Sequence, residues 1–307
     1  MTLRAAALIA VTAVAFAGTV SAHVVSDREL RVVRQFPAAA IRQELRAYLP
    51  DSLGNVAPNR PGAWRNVAYQ RPALLLLIDA SGRGDSVLAE RAWRAIDGAF
   101  AAQLPGGAFR RDAATTSADS LMEGAAFVSG LCRALIAVMN GPLQERFRWR
   151  YSLLRPKLQH AVDWLEAAAP SLRAAHARRA GLLLVQASAF LLADGTYHEE
   201  RYGRAGQAAL SAALELQHGD GLLPSNGAAN RSEHALGLEA LQSITIYFPS
   251  PTLERAGAKG ASWLRAHPAL ASHSTATSWT QLPAGEIAFT LRYATIKPPP
   301  PLGVPYD

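Results

Sequence analysis

The chain has 307 residues, 50% of them hydrophobic and 18% charged, with a single cysteine, which excludes a disordered chain, a collagen and a disulfide-held scaffold. Its formal charge is +7 and its pI about 9.9, yet the only lysines are Lys157, Lys259 and Lys297, and alanine is the commonest residue. The cations are spread along the chain rather than gathered in a block, which argues against a dedicated nucleic-acid binder and leaves an acidic partner open.

The first elements read as an address rather than a fold. Arg4, the apolar run Ala5–Val20 and the small-residue site Val20-Ser21-Ala22 have the order of a secretory signal peptide, residues 1–22, cleaved after Ala22. The apolar run is shorter than the roughly 20 residues of a membrane span. No later segment is expected to be long and apolar enough, so no stable span is expected after cleavage. The expected location is periplasmic or secreted. Cys132 would then have no partner in an oxidising compartment. It lies in the apolar pattern Phe127–Ile136 and is expected to be a buried thiol.

From there the sequence reads as helix after helix. Apolar residues recur at helical spacing over about 27–48, 85–102, 117–139, 143–168, 172–192, 203–217, 231–247, 251–266 and 284–296. Asp85-Ser86, Pro170-Ser171, Ser232 and Pro251-Thr252 mark starts, and Pro156 is expected to break or kink the fourth segment. Leu74–Asp79 is expected to be a short helix, because Ser81–Asp85 lacks the spacing of a phosphate-binding loop. The expected fold class is all-α: one domain over 23–297, followed by a Pro-rich tail, 298–307, with Pro298–Pro301 extended. Trp93, Trp149, Trp164 and Trp263 fall within helices and are expected in the core, whereas Trp64 and Trp279 lie in loops and are better placed to stack on a ligand.

A weak recurrence runs through the chain. Gln103–Phe109, Leu191–Tyr197 and Leu216–Pro224 each place a glycine after an apolar helix end and then a large apolar residue. Such a glycine suits a left-handed helix stop, and helical hairpins that cannot bury their apolar faces alone must stack or close into a ring. The segments ADGTYHEERYGRAGQAAL and LQHGDGLLPSNGAANRSEHALGLEALQSI resemble the inter-helix loops of α/α-toroid proteins, the group that includes polysaccharide lyases and six-hairpin glycosidases. The resemblance covers 85–266 loosely, and Gly106-Gly107 stands where the other segments have Asp-Gly. It implies an α/α toroid or incomplete toroid and a carbohydrate-processing role, with a lyase-like action on an acidic polysaccharide as the first expectation.

Two polar groups compete for the site. Asp220, Ser225, Asn226, Asn230, Arg231, Glu233 and His234 combine a glycine-rich loop with a helix start. There Asp220, Asn226, Asn230 and Arg231 would bind substrate, and His234 with Glu233 would do the acid–base work. The same residues also suit ordinary helix capping. The alternative pair is Tyr197 and His198, which resembles the acid–base pair of such lyases and equally suits a surface turn. A hydrolase needs two carboxylates about 5–10 Å apart, and Asp112, Asp119, Glu123, Asp194, Asp220 and Glu233 show no spacing that pairs them. Neither a Gly-x-Ser-x-Gly elbow nor a His-Glu-x-x-His motif is present, so no metal and no cofactor is expected. The competing reading is a non-catalytic helical scaffold or ligand-binding module of the cell envelope.

Overall fold

A computed structural model describes residues 22–56, 64–111 and 117–268. Residues 1–21 of the expected signal peptide, Asp112, the helix expected at 284–296, Trp279 and the tail 298–307 lie outside the described residues. Among the described residues the fold is all-helical, with no strand. Its helices are α1 (Ala22–Gln35), α2 (Ala38–Leu45), α3 (Arg71–Arg83), α4 (Ser86–Ala101), α5 (Ser117–Met139), α6 (Gln144–Ala167), α7 (Ala169–Ala175), α8 (Ala180–Tyr197), α9 (Glu200–Leu216), α10 (Arg231–Tyr247) and α11 (Pro251–Ala266).

The helices sort into two sets by how their apolar residues are distributed. In α3, α8 and α10 nearly every residue is buried, and α5 is buried along most of its length, so these helices are covered on all sides. In α4, α6, α9 and α11 one stripe is buried and the rest faces water. Each outer helix packs on the inner helix before it: α4 on α3, α6 on α5, α9 on α8 and α11 on α10. The inner helices touch in sequence, α1 to α3, α3 to α5, α5 to α8 and α8 to α10, and α10 returns to α1.

The two ends of the molecule differ. Gly84-Asp85, residues 140–143, His198-Glu199 and residues 248–250 are short turns that close each hairpin after its inner helix. Longer connections, residues 46–70, 102–116 and 217–230, lead from each outer helix to the start of the next inner one, and 168–179 does the same by way of α7. The inner helices therefore all begin at the end that carries the long connections.

Two of the three sequence recurrences become one repeated joint. The Gln103 side-chain amide donates to the carbonyls of Gly107 and of Lys157 on α6. Gln217 donates in the same way to Gly221 and to Ala256 on α11. Gly107 and Gly221 have φ of 87° and 100°, and a Cβ on either would run into the carbonyl of His160 or Lys259, three residues further along the same helix. A third copy, not recognised in the sequence, is the turn at Asp51–Asn55. There Gly54 lies against the Arg94 carbonyl, and Gln70 donates to Gly54 and Ala95. Each turn thus clamps one outer helix to the next. The third expected recurrence is not a turn at all: α8 runs straight through Asp194-Gly195, and the left-handed residue that ends it is His198, φ 57°.

Other expectations are also corrected. Pro37 divides 27–48 into α1 and α2. α6 continues unbroken through Pro156, whose ring is exposed. Two described helical stretches, Asp119–Met139 and Ala180–Tyr197, are long and apolar enough to cross a membrane, contrary to expectation, and both are mostly buried inside the fold. Cys132, by contrast, is buried as expected, and burial pushes its thiol up to about 12. Trp149 is exposed rather than in the core.

One charged contact crosses the centre. Arg133 of α5, 2% exposed, meets the fully buried Glu29 of α1 at 2.5 Å, and the Tyr247 hydroxyl of α10 donates to the other Glu29 oxygen. Truncating one partner of such a pair strands a buried charge. Arg133→Met should therefore lower stability by about 3–5 kcal/mol in denaturant unfolding, and Glu29→Leu with Arg133→Met should recover most of that loss. An equal loss in the double variant would contradict the pairing. Gly107→Ala should cost more than about 1 kcal/mol, since the left-handed backbone and the His160 carbonyl both oppose a Cβ. Gly219→Ala, with open space around it, should stay within about 0.5 kcal/mol.

Candidate functional site

Connections at the long-loop end carry most of the polar residues singled out in the sequence. Asn230 caps α10 by accepting from the Glu233 N–H at 3.1 Å. Its neighbour Glu233 is buried and held by Arg179, the residue that precedes α8, with Nη2–Oε1 at 2.5 Å and Nε–Oε2 at 3.2 Å. Arg179 also lies 3.5 Å from the buried ring of His176. Burial and then the Arg179 charge push His176 below its ordinary range, while Asp119 of α5 and Glu233 oppose them. The starts of α5, α8 and α10 therefore meet around one imidazole.

His234 is occupied inside the fold. Its Nδ1 accepts from the Leu223 N–H at 3.1 Å, so Nε2 carries the proton and donates to the Gly260 carbonyl at 2.9 Å. Trp263 lies 4.5 Å away, centroid to centroid, and burial pulls the imidazole down to about 4. With both nitrogens used and no exposed surface, the ring ties α10 to α11 and does not fit the expected role of base. Asp220 is exposed and accepts from the Leu222 N–H within its own turn. Asn226, exposed at φ 53°, donates its N–H to the Arg178 carbonyl, and Arg231 donates to the His267 carbonyl.

Tyr197 and His198 lie at the other end of α8, about 27 Å from Arg179 at 1.5 Å per residue. The Tyr197 hydroxyl donates to the Arg155 carbonyl at 2.7 Å, and burial pushes its ionisation upward. His198 is exposed and serves as the left-handed cap. The two groups that competed in the sequence therefore do not build one site.

A cluster not assembled from the sequence lies at the same end, where the Asp119 charge is felt by both Glu123 and His176. Glu123, on the second turn of α5 and 2% exposed, has Arg111 Nη2 3.0 Å and Asn66 Nδ2 3.1 Å from its Oε1, and Arg111 Nε 2.7 Å from its Oε2. Asn66 also accepts from the Ala68 N–H and so starts the 3-10 turn Val67–Gln70 that leads into α3. Burial pushes the carboxyl of Glu123 up to about 7, and Arg111 pulls against it. Tyr69, raised by burial, feels both Arg65 and Glu123. The Trp64 indole N–H donates to the Arg110 carbonyl at 2.8 Å, anchoring the aromatic ring at the rim. Glu123 figured in the sequence only as an unpaired carboxylate. Its partners lie 57 and 12 residues away, and no local pattern links them.

The site is thus a buried carboxylate layer, Glu123 and Glu233, under a rim where Arg65, Arg110 and Arg178 are exposed and Arg179 half-buried. Among the described residues no three His, Cys, Asp or Glu side chains come together to hold a metal. The carboxylates orient Arg111 and Arg179, and the guanidinium-rich rim is suited to an anionic ligand.

His234 and Glu123 act on stability with opposite signs. His234, held below its ordinary 6.5, stays neutral while the unfolded chain takes up a proton, so stability rises with pH from about 4 to 6.5. Glu123, held above its ordinary 4.5, keeps a proton that the unfolded chain releases, so stability falls with pH from 4.5 to about 7. Where the windows overlap the two effects offset each other. Glu123→Gln should expose the His234 slope, with stability climbing between pH 4.5 and 6.5 by up to about 1.4 kcal/mol per pH unit while the parent stays flatter. Urea midpoints across that range check this, and a variant that tracks the parent would contradict it.

No family model, no curated protein and no solved structure matches this chain.

Proposed function

We propose that this chain is an exported α/α toroid of five helical hairpins, a cell-envelope module that binds an acidic polysaccharide at its long-loop end without cleaving it. Support for the toroid comes from the cycle of inner-helix contacts, α1, α3, α5, α8, α10 and back to α1, with α2, α4, α6, α9 and α11 as the outer partners. Support for export is the leader-like sequence of residues 1–22, and a pI of about 9.9 suits a polyanionic partner.

The observation that carries the binding reading is the division of labour at the long-loop end. The candidate acid–base groups are consumed inside the fold: His234 bridges Leu223 and Gly260, and Glu233 is clamped by Arg179. The exposed groups above them are guanidinium side chains and the Trp64 ring, which can bind carboxylates and stack on a sugar face but are poorly suited to take a proton from carbon. The inner helices also begin here, and the positive ends of their dipoles add to the attraction for anions.

The purified protein titrated calorimetrically with polygalacturonate and with a neutral glucan should bind the first and not the second. Arg110→Glu with Arg178→Glu should weaken binding at least tenfold, and added salt should weaken it further. No ultraviolet absorbance from an unsaturated uronate end should develop. Appearance of that absorbance would replace binding by lyase cleavage, and failure to bind any uronate polymer would overturn the reading.

A further inference from the structure

Outer helix α6 carries an apolar stripe that the fold does not use. Trp149 is 72% exposed and Leu153 57% exposed, one turn apart, and the exposed Pro156 continues the same line. At 100° per residue these three lie within about 60° of one another. Exposed apolar residues are ordinary when scattered singly, but here they are contiguous and include a tryptophan. The stripe borders a groove of about 370 Å³ between α4 and α6, with Trp93, Ile96, Phe100 and Leu154 among its lining residues and Arg150 and Lys157 on its rim.

The charge around the stripe decides the occupant. Over residues 144–160 the helix carries Arg146, Arg148, Arg150, Arg155 and Lys157 against one acid, Glu145. Glu90 of α4 bridges Arg146 and Arg150, and Glu145 pairs with Arg148. Asp97 of α4, in the groove itself, faces Arg150 and Lys157, and with five cations against Glu145, Glu90 and Asp97 the face remains cationic after these pairings. Apolar tips flanked by long cationic side chains match an interface where hydrocarbon lies beneath a sheet of negative headgroups, with arginine and lysine stems snorkelling outward. An exposed tryptophan beside leucine suits the boundary layer of such a surface.

We propose that the α6 face docks on an anionic lipid bilayer, Trp149 and Leu153 entering the headgroup boundary and Arg148, Arg150, Arg155 and Lys157 contacting lipid phosphates. Trp149 and Leu153 lie on the first half of α6, and although the Lys157 carbonyl takes part in the Gln103 joint, the uronate-contacting Arg110 and Arg178 are not among the lipid-contacting residues. Lipid and polysaccharide would therefore be held by different residues, and failure of one proposal leaves the other intact.

The purified protein is sedimented with vesicles of phosphatidylcholine alone and with vesicles containing one-third phosphatidylglycerol. It should pellet with the anionic vesicles and be released by high salt. Trp149→Ser with Leu153→Ser should reduce partitioning at least tenfold at unchanged thermal unfolding, since both side chains are exposed. Arg148→Glu with Lys157→Glu should do the same by charge alone. No pelleting with anionic vesicles, equal pelleting with neutral ones, or pelleting unaffected by both double variants would each overturn the proposal. So would a concentration-dependent dimer in sedimentation velocity that the serine variants abolish, which would assign the stripe to a second copy of this chain.

Discussion

The constraint on which the rest of the structure depends is that α3, α5, α8 and α10 are buried nearly all the way round. A helix of that kind has no face to give to water, so it must be enclosed on every side. Enclosure is achieved laterally by its inner neighbours and outwardly by one amphipathic partner each, the arrangement the helix contacts describe. Because the flanks of the inner helices are taken up by packing, polar side chains are concentrated at their ends. The chemistry of this molecule therefore belongs to its ends, and above all to the end where the longer connections leave room for it.

Glu29–Arg133 is the exception. Two charges buried amid hydrocarbon add little net stability over an apolar pair, yet they admit few alternative partners. Here they fix α1 against α5, and Tyr247 brings α10 to the same carboxylate, so one small network joins the first inner helix to two others. Around the circumference the glutamine–glycine joints do the corresponding work between outer helices. The glycine allows a turn to touch the next helix's backbone, and the glutamine amide satisfies a carbonyl on that helix.

Much of this was legible in the sequence where a helix has a wet face or a clear cap. The bounds of α5, α10 and α11 match their periodic segments, and Asp85 and Asn230 cap where expected. Periodicity has less to say about a helix buried on all sides, so α3 was read as only a short piece around Leu74–Asp79. Local turn chemistry misled at Asp194-Gly195, because a glycine in the last turn of α8 has the sequence of a stop without being one. In the candidate site, the capping role of Asn230 and the position of Glu233 on the first turn followed from their spacing. The burial of His234 did not, since it depends on Gly260 and Trp263 from the next helix. Glu123 was hidden for the same reason: Asn66 and Arg111 reach it only after two connections fold to one end.

The central claim is that uronate binding is confined to the long-loop end, and hydrogen exchange read by mass spectrometry with and without a saturating uronate oligomer tests it most directly. The account predicts added protection in the segments around 64–71, 108–111, 176–182 and 226–234, with 144–160 and 194–202 unchanged. Protection centred on Tyr197 and His198, or spread evenly over the outer helices, would contradict it.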